Sequence, residues 1–195
     1  MPGKQHTCVC LNIEPEKLFE KLRELKPGIK RIIYVYDSTN AWYIQDAKVV
    51  ASNMGITLVL KPVTSIRDAA LEYRNILDSK LKTTDAIWLP LDNTFAGDAV
   101  LPEILNAAWQ DKFILFSSNP YYVKRGGLFA LYPDYFKLGK QIAKVMTPVI
   151  NNKNKFMRMS AIHAKSAVNI RMARHLSLKL NRRKLNEFDV VYPHQ

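Results

Sequence analysis

The stretch that most constrains the fold runs from Asp85 to Thr94 and joins an apolar segment to a polar one. Residues 86–91 are an unbroken apolar run, and Asp92, Asn93 and Thr94 follow it directly. A continuous apolar run is typical of a strand covered on both faces, as in a parallel sheet. Because ligands of open α/β sheets bind beyond the carboxyl ends of such strands, we expect these polar residues at a binding edge.

Strand and helix patterns alternate five times along the first 150 residues. Strands are predicted at 31–36, 56–60, 85–91, 113–116 and 128–132. The first predicted helix covers 14–25, and the second covers about 14 residues and ends at Gly55. The third begins at a cap, Thr64 or Ser65, and ends at about Lys82. The last two extend from about Thr94 to Gln110 and from Asp134 to about Asn151. The short connections predict an α/β fold, a three-layer, doubly wound parallel sheet of five strands with right-handed crossovers.

Charge divides the chain into two parts. Residues 1–150 hold 19 Lys/Arg against 15 Asp/Glu, whereas residues 151–195 hold 10 against 2. We therefore predict an α/β domain at 7–150 and a basic C-terminal extension at 151–195, ambiguous at 156–166 and helical from Asn169 to Leu180. A basic tail is typical of nucleic-acid or anionic-membrane contact, but we favour a solvated helix face. Nucleic-acid binding is not expected, because the basic residues of the tail lack interleaved aromatic residues.

Signals for catalysis, metals and cofactors are weak. The chain has no glycine-rich phosphate loop after its first strand and no GxSxG elbow. All four histidines lie outside the predicted five-strand body. The histidine of a catalytic triad would therefore have to come from the segments before or after that body. Cys8 and Cys10, separated by one residue, are too close for the usual CxxC spacing and are expected in a short strand. We therefore expect no catalytic residue, no metal site and no enzymatic activity.

Polar residues stand at the ends of four of the five predicted strands and should share one edge of the sheet. Together with neighbouring aromatic residues they predict a small-molecule site for a ligand with an amine, a carboxylate or a flat ring. The same polar residue types also cap helices. We favour helix capping over ligand contact for Thr39 and Thr94. For Asp92 and Tyr132, a structural role and ligand contact both stay open. The candidate ligand-binding residues are Ser38, Asn40, Asp92, Asn93, Tyr132 and Asp134.

Seven segments between residues 26 and 170 give the chain a resemblance to a known family. Their order and spacing resemble the second lobe and C-terminal return of ABC-transporter substrate-binding proteins, which have the type I periplasmic-binding-protein fold with flavodoxin-like lobes. The segments are KPGIKRI at 26–32, YDSTN at 36–40, NMGITL at 53–58, DAIWLPLDNT at 85–94, VKRGGLFAL at 123–131, DYFKLGKQ at 134–141 and VNI at 168–170.

The resemblance implies a protein that binds a small ligand without transforming it, in some members an aromatic or branched amino acid. Asp92 would pair with a ligand amine or hydroxyl, a contact that strengthens when lobe closure excludes water. The resemblance also implies ABC-transporter membrane subunits as partners. It implies a periplasmic or extracytoplasmic location. Because residues 1–6 lack the features of a signal peptide, a cytoplasmic location stays open as the alternative.

Two departures from the family pattern shape further expectations. The chain starts at what would be the hinge crossing, so we expect half of the two-lobe cleft to be absent. The exposed face of a single lobe would then favour a homodimer. The family commonly has a glycine where this chain has Tyr132, whose ring could fill or close the pocket floor. The alternative is a regulatory or protein-interaction domain that keeps the fold and has lost its ligand.

Overall fold

The computed structural model describes residues 8–37, 41–91, 96–97, 99–150 and 158–193. The strands found there are β1 (Cys8–Ile13), β2 (Arg31–Asp37), β3 (Thr57–Val63), β4 (Asp85–Leu89), β5 (Ile114–Ser117), β6 (Phe129–Pro133), β7 (Arg158–Ala161), β8 (Ala164–Asn169) and β9 (Val190–Tyr192). The helices are α1 (Pro15–Leu25), α2 (Ala41–Asn53), α3 (Ile66–Asp78), α4 (Leu101–Asp111), α5 (Pro120–Arg125), α6 (Tyr135–Ile150), α7 (Ile170–His175) and α8 (Arg182–Leu185).

Seven of these strands form one sheet in the order β3-β2-β4-β5-β6-β8-β9. The five predicted strands, β2 to β6, are adjacent and parallel, which confirms the doubly wound fold. Strand β8 pairs antiparallel with β6, and β9 pairs parallel with β8. The C-terminal segment therefore adds two strands to the predicted five. Strands β1 and β7 form a separate parallel pair.

Several helix boundaries follow from local signals in the sequence. Pro15 stands at the start of α1, as predicted, and one apolar stripe of that helix is buried. The predicted cap of α3 is Ser65, whose hydroxyl accepts a hydrogen bond from the Asp68 backbone N–H at 3.1 Å. None of the helices in the described ranges combines the length and apolar character that a bilayer-spanning segment needs.

Three predictions along the chain are corrected by the structure. Helix α4 begins at Leu101 and not near Thr94, because Gly97 precedes a turn and Pro102 occupies the first turn of the helix. The short helix α5 was not predicted. Residues 164–169 are a strand, and the helix that follows ends at His175, five residues earlier than expected.

A row of four aromatic side chains crosses the sheet at one register level. Tyr34, Trp88, Phe116 and Phe129 lie on four adjacent strands as successive pairing partners, and we call them the aromatic row. Their rings are nearly parallel, with centroid distances of 4.1, 6.0 and 5.4 Å along the row. Phe19 of α1 packs edge-on against Trp88 and Phe116 at 5.4 and 6.3 Å. Offset-stacked and edge-to-face geometries are the favourable ones for aromatic pairs, so the row fixes α1 on this face of the sheet.

Helices cover both faces of the sheet. Phe19 of α1 and Tyr43 of α2 both contact Trp88, which places these helices on the same face as the aromatic row. Helices α3 and α4 pack against each other, as expected for the opposite face of a doubly wound sheet. At the amino-terminal edge, Arg31 forms a bidentate pair with the buried Asp85 at 3.1 and 2.6 Å, which ties β2 to β4.

Replacing Phe19 tests the importance of the aromatic packing. Phe19 is fully buried, so Phe19→Ala should lower the free energy of unfolding by about 3–5 kcal/mol, measured by urea denaturation. The matched control is Phe136→Ala, because the Phe136 side chain is 72% exposed and its loss should cost no more than about 0.5 kcal/mol. Equal losses in the two variants would contradict this description of the core.

Candidate ligand-binding site

The carboxyl ends of β2, β4, β5 and β6 meet at one edge of the sheet, which we call the ligand edge. The structure places Asp37 at the end of β2, Leu91 just beyond β4, Ser117 to Asn119 at the end of β5 and Asp134 just beyond β6. The predicted site residues Ser38, Asn40, Asp92 and Asn93, and also Thr39 and Thr94, lie outside the described residues.

Polar side chains at the end of β5 hold the end of β4. The Ser117 hydroxyl is fully buried and lies 3.0 Å from the Leu89 carbonyl oxygen and 3.2 Å from that of Pro90. Asn119 donates from its side-chain amide to the Leu91 carbonyl at 2.8 Å. The same Asn119 caps α5 by accepting from the Tyr121 backbone N–H at 3.0 Å. The chain is therefore fixed at the residue directly before Asp92.

Tyrosine rings border the ligand edge on the side of α1 and α2. Tyr36, the last aromatic residue of β2, stacks on Tyr34 at 5.6 Å. Tyr43 of α2 is buried, and its hydroxyl donates to the Ile13 carbonyl of β1 at 2.7 Å. Burial raises the pKa of Tyr43 well above its usual value, and the neighbouring Tyr34 adds to the rise, while a hydrogen bond with Ser118 opposes it. The Tyr43 hydroxyl therefore stays protonated at neutral pH and acts as the donor to the Ile13 carbonyl.

Tyr132 points to the other face of the sheet from the aromatic row. It packs beside Val123, Ala130, Ala167 and Tyr192, in a small apolar cluster under α5 and β9. Partial burial raises the pKa of its phenol, and the negative charge of Asp189 acts in the same direction. The sequence shows that Tyr132 and Ala130 share a face but does not show which face that is. A role for Tyr132 in ligand contact stays a prediction.

Asp134 is the cap of α6. It is buried, and its carboxylate accepts from the Lys137 backbone N–H at 3.2 Å, while the Lys137 ammonium lies 3.6 Å away. The backbone hydrogen bond from Lys137 lowers the pKa of Asp134, and the positive charges of Lys165 and Lys137 lower it further. Capping and ligand contact are both compatible with this position at the edge, so the predicted ligand contact stays a prediction.

Among the residues that the structure describes, no group of three or more His, Cys, Asp or Glu side chains is arranged to hold a metal ion.

A family model described as ABC transporter substrate binding protein matches residues 1–193, nearly the whole chain. The chain belongs to the family of ABC-transporter substrate-binding proteins. A comparison with curated proteins finds no match.

Solved structures have the same fold. A conserved domain protein from Vibrio cholerae is 25% identical, with a TM-score of 0.70, over 97% of this chain and 64% of that one. The ABC domain of Streptococcus pneumoniae in complex with L-Trp is 24% identical, with a TM-score of 0.67, over 91% and 60%. A substrate-binding protein with adhesive properties from Clostridium difficile, in its open, ligand-free state, is 19% identical, with a TM-score of 0.67, over 95% and 62%. The chain thus spans less than two thirds of the length of these structures.

In this member of the family, side chains from two helices hold the turn between β7 and β8. Lys17 of α1 donates to the Ile162 carbonyl at 2.9 Å. The Gln141 amide donates to the Ser160 carbonyl at 3.0 Å and accepts from the Ile162 backbone N–H at 3.2 Å. Asp134 donates its backbone N–H to the His163 carbonyl at 3.0 Å. The turn that leads from the β1–β7 pair into β8 is therefore fastened beside the ligand edge, an arrangement that the sequence did not indicate.

Asn119 offers a direct test of how the ligand edge is held. Asn119→Ala removes both the cap of α5 and the bond to Leu91, so we expect a loss of about 1–3 kcal/mol in unfolding free energy. Asn119→Asp keeps the capping acceptor but sets a carboxylate against the Leu91 carbonyl, and it should cost about as much. Asn106→Ala, an exposed substitution of the same type on α4, is the control. Full stability of Asn119→Asp would show that the Leu91 contact contributes nothing.

Acid titration tests the role of Asp134. Because its folded-state pKa is lowered, ionised Asp134 stabilises the fold above the unfolded-state pKa of about 3.9, and this contribution is lost as the pH falls through the folded-state value. Asp134→Asn keeps an acceptor for the Lys137 N–H but cannot titrate. Between about pH 6 and about pH 3 the variant should therefore lose less unfolding free energy than the parent chain.

Asp78→Asn, at the exposed end of α3, serves as the control for the altered net charge in this titration. An identical pH dependence of unfolding in the parent chain and Asp134→Asn would contradict the proposed cap.

Proposed function

We propose that this chain is the solute-binding component of an ABC-type uptake system and binds a small ligand at the ligand edge. The observation that carries the proposal is the polar end of β5, where Ser117 and Asn119 hold the carbonyl groups of Leu89, Pro90 and Leu91. Their hydrogen bonds stabilise the approach to Asp92 before any ligand arrives. Preorganisation of this kind lowers the entropic cost of binding.

An amino acid with an aromatic or branched side chain is the ligand class we propose. Support comes from Tyr36, whose partly exposed ring stacks on Tyr34 near the end of β2 and suits contact with an apolar or flat group. Asp92, two residues beyond Pro90, supplies the carboxylate for a ligand amine. The related Streptococcus pneumoniae domain with L-Trp bound supports the same class.

The family consists of substrate-binding proteins and not of enzymes, and we propose that this chain likewise releases its ligand unchanged. Its partners would then be the membrane subunits of the transporter, and its place would be extracytoplasmic, as is normal for the family. Among the predicted site residues, Ser38 and Asn40, which follow β2 in the sequence, and Asp92 and Asn93, which follow β4, would contact the ligand.

Ligand-induced stabilisation tests the proposal. L-tryptophan, L-phenylalanine and L-leucine are added in turn and thermal unfolding of the chain is followed; a ligand at 100 times its Kd should add about 2.7 kcal/mol of stability. Asp92→Asn should weaken binding by about 10- to 100-fold, because a charged hydrogen bond is lost. Asp78→Asn, which changes the net charge equally on an exposed helix end, should bind as the parent does.

Indole-3-propionate, which lacks the amine, separates charge recognition from ring packing. The parent chain should prefer tryptophan to indole-3-propionate, and Asp92→Asn should lose that preference. If no compound of the panel stabilises the chain, the proposal fails and the alternative, a regulatory domain without a ligand, is favoured.

A further inference from the structure

A second concave site lies at the opposite end of the sheet from the ligand edge. It is a cavity of about 280 Å³ between the end of α4, the end of α5 and the start of α7, and we call it the distal cavity. Its position is set by Asn169, whose backbone N–H donates to the Leu128 carbonyl at 2.8 Å, just before β6 begins. It is therefore about one strand length, roughly 16 Å, from the ligand edge.

Three cationic side chains line the distal cavity. They are Lys124 and Arg125 at the end of α5 and Arg171 at the start of α7. No carboxylate is among the lining residues, and none of the three forms an ion pair with any described Asp or Glu. Like charges that line one cavity repel one another, and a bound anion would reduce the repulsion. Guanidinium groups match the geometry of phosphate oxygens.

The wall of the distal cavity carries an aromatic surface. The Trp109 side chain lines it and is 49% exposed, unusual for so large an apolar group. His175 stacks on the indole at 3.7 Å with an interplanar angle of 8°, and its ring N–H donates to the Trp109 carbonyl at 2.6 Å. His175 thereby holds the indole in place but is not itself a lining residue. Leu105 and Met172 add apolar surface beside the indole.

Hydrogen bonds of Asn169 hold the floor of the distal cavity. The buried Asn169 donates its side-chain amide to the Val123 carbonyl at 3.0 Å and accepts from the Met172 backbone N–H at 3.0 Å. These two bonds join α5 to α7, so that Arg125 and Arg171 are carried by elements with a fixed relative position. A preformed arrangement of this kind favours binding of a small molecule.

We propose that the distal cavity binds a small organic phosphate with a flat ring, such as a nucleoside monophosphate. The phosphate would lie between Arg125 and Arg171, with Lys124 adding charge, and the base would lie against Trp109. The cavity volume lies just below the usual range of about 300–1,000 Å³ for small-molecule sites, so the ligand should be no larger than a mononucleotide. This site is separate from the ligand edge and adds a second binding function to the chain.

Calorimetric titration with AMP tests the proposal. The double variant Arg125→Gln/Arg171→Gln should lose at least about tenfold in affinity. Lys140→Gln/Lys144→Gln removes the same charge from exposed positions on α6 and should stay within about twofold of the parent. Thermal unfolding of each variant checks that its fold is intact. Asp92→Asn should bind AMP as the parent does, which separates this proposal from the ligand edge.

Ring contact is tested with ribose 5-phosphate and inorganic phosphate, which lack the base. The parent should bind AMP more tightly than either, and Trp109→Leu should lose most of that difference while keeping its affinity for ribose 5-phosphate. Absence of AMP binding would overturn the proposal. So would equal losses in the two double variants, because these would indicate unspecific attraction by net charge, or equal affinity of the parent for AMP and ribose 5-phosphate.

Discussion

Four aromatic rings, one from each of four adjacent parallel strands, lie at a single level of the sheet and pack against one another. Tyr34, Trp88, Phe116 and Phe129 are pairing partners in successive strands, and Phe19 packs on them from α1. A shift of one strand by one residue would turn its ring to the opposite face. The packing of this row therefore depends on the register of four strands together, and so does the alignment of the residues that follow them.

The positions of the side chains at the ligand edge depend on this register. Ser117 comes directly after Phe116 in β5 and pairs with Leu89, which comes directly after Trp88 in β4. Its hydroxyl thus meets the carbonyl groups at the end of β4, and Asn119 reaches Leu91 two residues further on. The polar contacts at the edge can be understood as a consequence of the aromatic packing below them. The two sites that we propose, one for an amino acid at the ligand edge and one for an organic phosphate in the distal cavity, then lie at opposite ends of the sheet.

Much of this architecture could be predicted from the sequence, because the deciding signals are local. Each of the five parallel strands contains a short apolar run, and Ser65 and Pro15 are recognisable starts of helices. Strand β8 was missed because Ala164 to Asn169 is a short run of small and polar residues, and its place depends on pairing with the distant β6. The face occupied by Tyr132 and the convergence of Trp109, Arg125 and Arg171 depend on tertiary packing. No spacing in the sequence indicates them.

The central claim is that the carboxyl ends of the parallel strands form one site that binds a solute. It is tested most directly by titrating isotope-labelled protein with L-tryptophan and following backbone amide resonances. We expect the largest shifts at the ends of β2, β4 and β5, around Asp37, Leu91 and Asn119. No shifts at all, or shifts confined to the distal cavity or to the turn between β7 and β8, would contradict it.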